Sequence, residues 1–191
     1  MYVVRFYGRG GQGAVTASKL LGVAALYDGK YATSIGRYGG ERRGAPVTVF
    51  LRIADEPIRT KSFPSRFDCI ITSDPKLRVM VDITEGFKEG GVAVLNTKMS
   101  PEEISLKVMP KRIGAVDATG LALEVFGPSA LPITSTAMIG AFSRTTGMVS
   151  LDSILRAIGE EWASKVAEMN VTVTKRAYEQ TKVIDVERRE T

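Results

Sequence analysis

Apolar positions follow two different periods along this chain, and the elements change where the period changes. Residues 2–7 (YVVRFY) are β-branched and aromatic and predict a first strand. A glycine-dense turn, Gly8 to Gly13, follows. Residues 14–27 (AVTASKLLGVAALY) then take a helical period that is apolar nearly all round, with Leu20, Leu21, Val23, Ala24 and Leu26 beside Ala14 and Ala17. That pattern predicts a largely buried helix. Asp28-Gly29 ends it, Gly29 suiting a left-handed C-terminal position. Residues 31–35 (YATSI) predict a second strand. Strand, turn, helix and strand make one βαβ unit, which should be parallel and right-handed.

Residues 46–53, 67–72, 91–96 and 112–116 predict further strands, with 67–72 (FDCIIT) apolar enough to be buried on both faces. Asp55-Glu56-Pro57 predicts a turn leading to a short antiparallel strand near Ile58. Asp74-Pro75 predicts the start of a short helix. Later the chain becomes helical, with matching periods over 119–126, 134–147, 151–160 and 163–181. Ser150 is the N-cap expected for the helix carrying Leu151, Ile154, Leu155 and Ile158. The charged residues from Asp185 to Thr191 predict a frayed tail. The expected fold is therefore α/β. It is a single Rossmann-like domain over residues 1–184, with a mostly parallel sheet flanked by helices, a helical C-terminal third, and a charged tail over 185–191.

Composition then narrows the chemistry. At 191 residues, 44% hydrophobic and 25% charged, the chain is sized and balanced for one soluble domain. No apolar run approaches the roughly 18 residues that read as a membrane span. Met1 leads straight into a strand without a basic leader or apolar h-region, so no signal peptide and a cytoplasmic location are expected. There is one cysteine and no histidine. Within this chain that excludes a four-thiolate iron–sulfur cluster, a His-based triad and the usual zinc sites. Cys69, inside an apolar run, is expected to be a buried small hydrophobe. The net charge of +5 is spread along the chain and fits an anionic ligand or an acidic partner surface rather than DNA.

Gly8-Arg9-Gly10-Gly11-Gln12-Gly13 has the spacing G-x-G-x-x-G between a strand and a helix. In such a turn Gly8 permits the tight bend, Gly10 lets backbone approach a ligand, and Gly13 allows close helix–strand packing. Free N–H groups at the helix start then face an anion. The alternative is that these glycines serve chain packing alone. A nicotinamide site also needs a carboxylate at the end of the second strand for the ribose hydroxyls. That strand ends Thr33-Ser34-Ile35-Gly36-Arg37, with no carboxylate, while Arg37 would suit a 2′-phosphate as in NADP. Gln12 offers an amide toward the ligand position.

Tyr38 to Pro46 (YGGERRGAP) is the other dense feature. Arginine forks such as Arg42 and Arg43 match carboxylates and phosphates bidentately, and Glu41 would position one of them. Loops after the first two strands of a doubly wound sheet lie side by side at its carboxyl edge, so this loop should face the glycine turn. The alternative is a solvated loop. Asp68, Asp74 and Asp117 lie at or near strand ends and read as caps or turn formers. Thr134-Ser135-Thr136 reads as a helix start near the crevice. Trp162 reads as a packing or interface aromatic, and Gly140-Ala141 as close helix packing or a subunit contact.

The two loops together, GRGGQG and then YGGERRGAPV, resemble the gamma subunit of 2-oxoacid:ferredoxin oxidoreductases. The family pattern is a GxGGQG turn followed by a loop of the type G-P-E-x-R-G. Gly40 stands where the family often has proline. The run from Glu41 to Val47 looks more like the pyruvate and 2-oxoisovalerate branch than the 2-oxoglutarate branch. Weaker likeness continues through Asp74-Pro75 and the helices at Thr134 to Ala141 and Asn170 to Tyr178.

The resemblance implies an oxidoreductase complex that converts pyruvate and coenzyme A to acetyl-CoA and carbon dioxide, with electrons passing to ferredoxin. It implies alpha, beta and delta partner subunits. Thiamine diphosphate and Mg2+ lie between alpha and beta, and [4Fe-4S] clusters lie in delta and, in many members, beta. The gamma subunit holds none of these. Its implied role is structural, with a part in holding coenzyme A, and alone it would be inactive. Neither nucleic acid nor membrane is an expected partner. The candidate cofactor-binding residues are Gly8, Arg9, Gly10, Gly11, Gln12, Gly13, Arg37, Glu41, Arg42, Arg43 and Gly44, with Arg9, Arg37, Arg42 and Arg43 as the phosphate contacts. The competing readings are a gamma subunit acting with 2-oxoisovalerate, a standalone nucleotide-binding Rossmann enzyme, and a scaffold module of another complex.

Overall fold

The computed structural model describes residues 1–37 and 44–186, and only the backbone of Arg37. Its strands are β1 (Tyr2–Arg9), β2 (Tyr31–Arg37), β3 (Pro46–Ala54), β4 (Phe67–Thr72), β5 (Phe87–Asn96), β6 (Arg112–Val116) and β7 (Lys182–Asp185). The helices are α1 (Ala14–Tyr27), α2 (Leu77–Met80), α3 (Ala118–Phe126), α4 (Ser135–Thr146), α5 (Leu151–Glu161) and α6 (Ser164–Gln180). The strands form one seven-stranded sheet in the order β2-β3-β1-β4-β5-β6-β7.

β1, β4, β5 and β6 pair in parallel, as the apolar runs predict. β2 runs in the same direction as β1 but does not lie beside it. β3 is inserted between them, antiparallel to both. This insertion also removes the strand predicted near Ile58. Both edges of β3 are already taken, so a returning strand would find no backbone to pair with. The segment is instead held by Arg52, only 2% exposed, whose guanidinium donates to the carbonyls of Thr60 and Ser62.

At the other edge the predicted frayed tail begins too early. β7 pairs antiparallel with β6, satisfying its outer edge, and Arg112 grips Asp185 with a two-pronged fork at 2.6 and 3.0 Å. Val186 N–H still donates to Lys111 C=O at 2.8 Å.

Alternate residues of each central strand serve different cores. Val4, Phe6, Cys69, Ile71, Val92 and Val94 face α1, α3, α4, α5 and α6. Val3, Tyr7, Ile70, Ala93 and Leu95 face Leu77 of α2 and the loop residues Ile83, Ile104 and Leu106. Helices thus flank the sheet unevenly, and loops cover much of the second face.

α4 is buried along nearly its whole length against the sheet. It can be so because its surface is small and most of its hydroxyls are paired. Thr136 Oγ1 donates to Asn170 Oδ1 at 2.8 Å, and Thr174 Oγ1 donates back to Thr136 C=O at 3.1 Å. A Cβ on Gly140 would lie 2.3 Å from the Thr174 carbonyl oxygen, so glycine lets α4 and α6 touch, as its place on an apolar helix predicts. The predicted N-cap is present too: Ser150 Oγ accepts from Ser153 N–H at 3.2 Å.

Candidate functional site

The carboxyl ends of β1, β4 and β5 meet the starts of α1, α3 and α4. Gly8, still within β1, packs closely, since a Cβ there would meet that of Ala14 at 3.1 Å. The turn itself relies on Gly11 (φ 95°) and Gly13 (φ 81°), both in the left-handed region. The roles predicted for Gly8 and Gly13 are therefore exchanged. Gly8 supplies the strand–helix contact and Gly13 the bend. Gly13 also faces α4, where a Cβ would come within 2.7 Å of Ser135 Oγ.

Gln12 has a second role besides the amide it is expected to offer toward the ligand position. It is 4% exposed and folds back into the turn, where its Oε1 accepts the Arg9 N–H at 2.9 Å. Gln12 N–H in turn donates to Arg9 C=O at 3.0 Å. The side chain braces the glycine turn and does not line the cleft beside it.

The second loop does meet the glycine turn at its described end. Gly10 N–H donates to Ala45 C=O at 2.8 Å, and Gly44 N–H donates to Gly10 C=O at 2.9 Å. Arg9 closes the contact. Its guanidinium donates to Gly44 C=O at 3.1 Å, to Asp74 Oδ2 at 2.5 Å and toward Met80 Sδ at 3.1 Å. As a phosphate contact Arg9 is therefore already engaged. Asp74 is the site residue that sequence reasoning misses. It is a turn former, as predicted, with Oδ1 accepting from Lys76 N–H at 2.8 Å, but it is also the counter-ion of Arg9. Arg37 ends β2 opposite Thr48. Glu41, Arg42 and Arg43 lie outside the described residues.

Behind the turn, Asn96 bridges three elements. Its Nδ2 donates to Ser73 C=O at 2.7 Å and to Thr119 Oγ1 at 2.8 Å, and Thr134 Oγ1 donates to the same Ser73 C=O at 3.2 Å. Asp117 caps α3 by accepting from Gly120 N–H at 2.8 Å, as its place at a strand end predicts. Cys69 is wholly buried, and burial pushes its thiol well up, so it stays a neutral thiol rather than a nucleophile. Burial also pushes up the Tyr7 phenol.

Beside the turn opens a cleft of about 500 Å³. Its floor is Gly10, Gly11, Gly13 and the first turn of α1, and Val47, Phe126, Ile133, Ser135, Trp162 and Val166 form the walls. Trp162, read from the sequence as a packing or interface aromatic, packs against the main core and lines this cleft.

The fold is a Rossmann-like α/β domain whose glycine turn, the described end of the second loop and a cleft lie together at one sheet edge. The chain belongs to the pyruvate ferredoxin/flavodoxin oxidoreductase family, whose model matches residues 3–180. It is 45% identical over 188 residues to the pyruvate/ketoisovalerate oxidoreductases common subunit gamma of Thermococcus kodakarensis, covering 97% of this chain and all of that one (100%). It is also 45% identical over 190 residues to the gamma subunit of an NADH-dependent phenylglyoxylate dehydrogenase from Aromatoleum evansii, covering 99% of this chain and 98% of that one. The crystal structure of pyruvate oxidoreductase subunit PORC from Thermotoga maritima superposes with a TM-score of 0.80 at 34% identity, covering 95% of this chain and 97% of that one. Among the described residues, no helix is long and apolar enough to cross a membrane.

Proposed function

We propose that the chain works as the gamma subunit of a 2-oxoacid:ferredoxin oxidoreductase of the pyruvate type. The complex oxidises pyruvate with coenzyme A to acetyl-CoA and carbon dioxide and passes the electrons to ferredoxin. The observation that carries this reading is the end-to-end match to gamma subunits, covering 97% and 99% of this chain in two relatives. Those two relatives carry names for different oxoacids, and one is named as common to pyruvate and ketoisovalerate enzymes. These names leave open which oxoacid this chain serves. For the same reason 2-oxoisovalerate is the second substrate to assay.

The partners are alpha, beta and delta subunits in the cytoplasm. Thiamine diphosphate with Mg2+ supplies the decarboxylation chemistry, and [4Fe-4S] clusters carry the electrons, both in those partners. This chain's residues do not suit a cluster, because a single cysteine cannot supply its thiolates.

Within the complex this subunit is structural and helps to hold coenzyme A. Arg37, Arg42 and Arg43 are the proposed contacts for its phosphates, since Arg9 is paired with Asp74. Coenzyme A carries several phosphate groups, and arginine forks match them bidentately. In the intact complex, Arg42→Ala combined with Arg43→Ala should raise the KM for coenzyme A by about tenfold or more while leaving the KM for pyruvate unchanged. An unchanged KM for coenzyme A in an assembled complex would contradict the coenzyme A role and leave the subunit role standing.

A further inference from the structure

We propose that residues 55–66, the strap between β3 and β4, are the docking surface for an acidic segment of a partner chain in the complex. Carboxylates of that segment meet Arg59, Lys61 and Arg66, and one of its apolar side chains covers Phe63. The proposal rests on the subunit role and adds which surface is used and what chemistry faces it.

The strap lies away from the glycine turn. Both its ends are at the amino edge of the parallel strands, since Ile53 pairs with Tyr2 at the start of β1 and Phe67 begins β4. Residues 59–66 are exposed apart from half-buried Pro64. Among the described residues no backbone–backbone hydrogen bond ties 55–66 to the body. Phe63 is 53% exposed and meets Phe50 edge-on, with ring centroids 6.4 Å apart. A single exposed aromatic is ordinary on a protein surface. The charge around this one sets it apart.

The ten residues 57–66 include Arg59, Lys61 and Arg66 and no acidic residue. All three cations are exposed, and none forms an ion pair among the described residues. Carboxylates at the margins do not offset them. Asp55 is taken by Lys30 at 2.9 Å. Glu56 opens the strap, and Glu85 precedes the Gly86 that abuts the Ser65 carbonyl, but neither is in an ion pair among the described residues.

The sheet beneath adds charge of the same sign. Arg52, which holds the strap by its carbonyls, is 2% exposed and has no counter-ion among the described residues. Its Nε is buried without a hydrogen-bond partner. On the neighbouring strand, Arg5 lies over the rings of Tyr7, Phe67 and Phe50 at 4.3, 5.0 and 5.4 Å. A buried cation without a carboxylate is costly, and its field is little screened by the protein around it. Five cations thus gather at one corner around an exposed phenyl ring. Such a surface fits a partner that brings both acidic and apolar side chains, which a peptide segment supplies and a phosphate backbone does not.

In the intact complex, Phe63→benzoylphenylalanine would place a photo-reactive ring on the strap, and irradiation with sequencing of the joined peptide would identify what lies against it. The expected product joins the strap to a peptide of another subunit that carries several Asp or Glu residues. Charge reversal is the second measurement. The triple variant Arg59→Glu, Lys61→Glu, Arg66→Glu alters exposed positions only, so its thermal midpoint should match the parent's. The fraction of this variant recovered in the complex should fall about tenfold or more, and more steeply as salt is raised. Lys19→Glu, Lys165→Glu, Lys175→Glu makes the same change of charge at exposed positions elsewhere and should assemble like the parent. Full assembly of the strap variant would overturn the proposal and leave the subunit role standing. So would an equal loss in the control variant, or a cross-link that is absent, confined to this chain, or made to a peptide without carboxylates. Recovery of the unmodified chain without any partner would remove the subunit role and the proposal together.

Discussion

Arg9 and Asp74, 65 positions apart in the chain, meet with Nε and Oδ2 2.5 Å apart and with side chains only 17% and 11% exposed. The pair ties the glycine turn after β1 to the end of β4. It also sets the electrostatics of the site, because the one arginine inside the glycine motif is neutralised from within.

Asp74→Ala would leave the Arg9 guanidinium largely buried without its counter-ion. Breaking a shielded pair in this way costs about 2–4 kcal/mol, toward the lower end where some water reaches the charges. Urea unfolding of the full chain should show the loss, and Asp74→Asn should lose less because its side-chain oxygen can still accept from Lys76 N–H. An unchanged midpoint in Asp74→Ala would mean the pair does not hold the turn.

Gln12 gives a test of turn brace against ligand contact. Gln12→Ala removes the acceptor of the part-buried Arg9 N–H, which should cost about 1 kcal/mol of stability. A contact whose only partner is a ligand would leave the unbound chain as stable as before.

Gly140→Ala forces a methyl group against the Thr174 carbonyl, where only 2.3 Å is free. Backbone cannot yield as a side-chain tip can, so α4 and α6 must separate. Overpacking of this kind costs about 1–3 kcal/mol, readable as a lower thermal midpoint. The same change at Gly29, where a Cβ meets nothing within 4 Å, lacks that clash and is opposed by its positive φ alone.

Asp82 predicts a pH response. Hydrogen bonds from the Thr84 hydroxyl, Lys107 and the Thr84 N–H hold its carboxyl down to about 2, against an ordinary 3.8. A carboxyl lowered by folding contributes stability above its unfolded value, and that contribution is lost as pH falls through the folded value. The window is therefore from just below pH 4 down to about 2. A carbon-13 titration should place the Asp82 midpoint near the lower value, and Thr84→Val should move it up. A midpoint at the ordinary value in the unmodified chain would contradict the loop geometry.

The elements that local pattern determines were legible in sequence. α1 announces itself by its all-round apolar surface, and β4 by a run buried on both faces. Ser150 and Asp117 are readable as caps because a cap is a local event. What escaped detection depends on distant partners. Nothing within residues 46–54 says that β3 runs between β1 and β2, since that pairing is fixed by which sheet edges remain open. β7 is four residues of partly exposed chain whose only reason to be a strand is the free edge of β6. Gln12 and Asp74 carry no local sign of their partners, and polar residues in a glycine turn or at a strand end read equally well as ligand contacts or as braces. Ser135 was legible as part of a helix start near the crevice.

The central claim is that this chain is one part of a larger oxidoreductase. Purifying it anaerobically from its native cells, with mass-spectrometric identification of everything that remains bound, tests that most directly. The account predicts recovery with larger thiamine-dependent chains and a small, brown, cluster-bearing chain, in a complex that oxidises pyruvate only with coenzyme A present. Recovery of the chain alone, colourless and monodisperse, would contradict it.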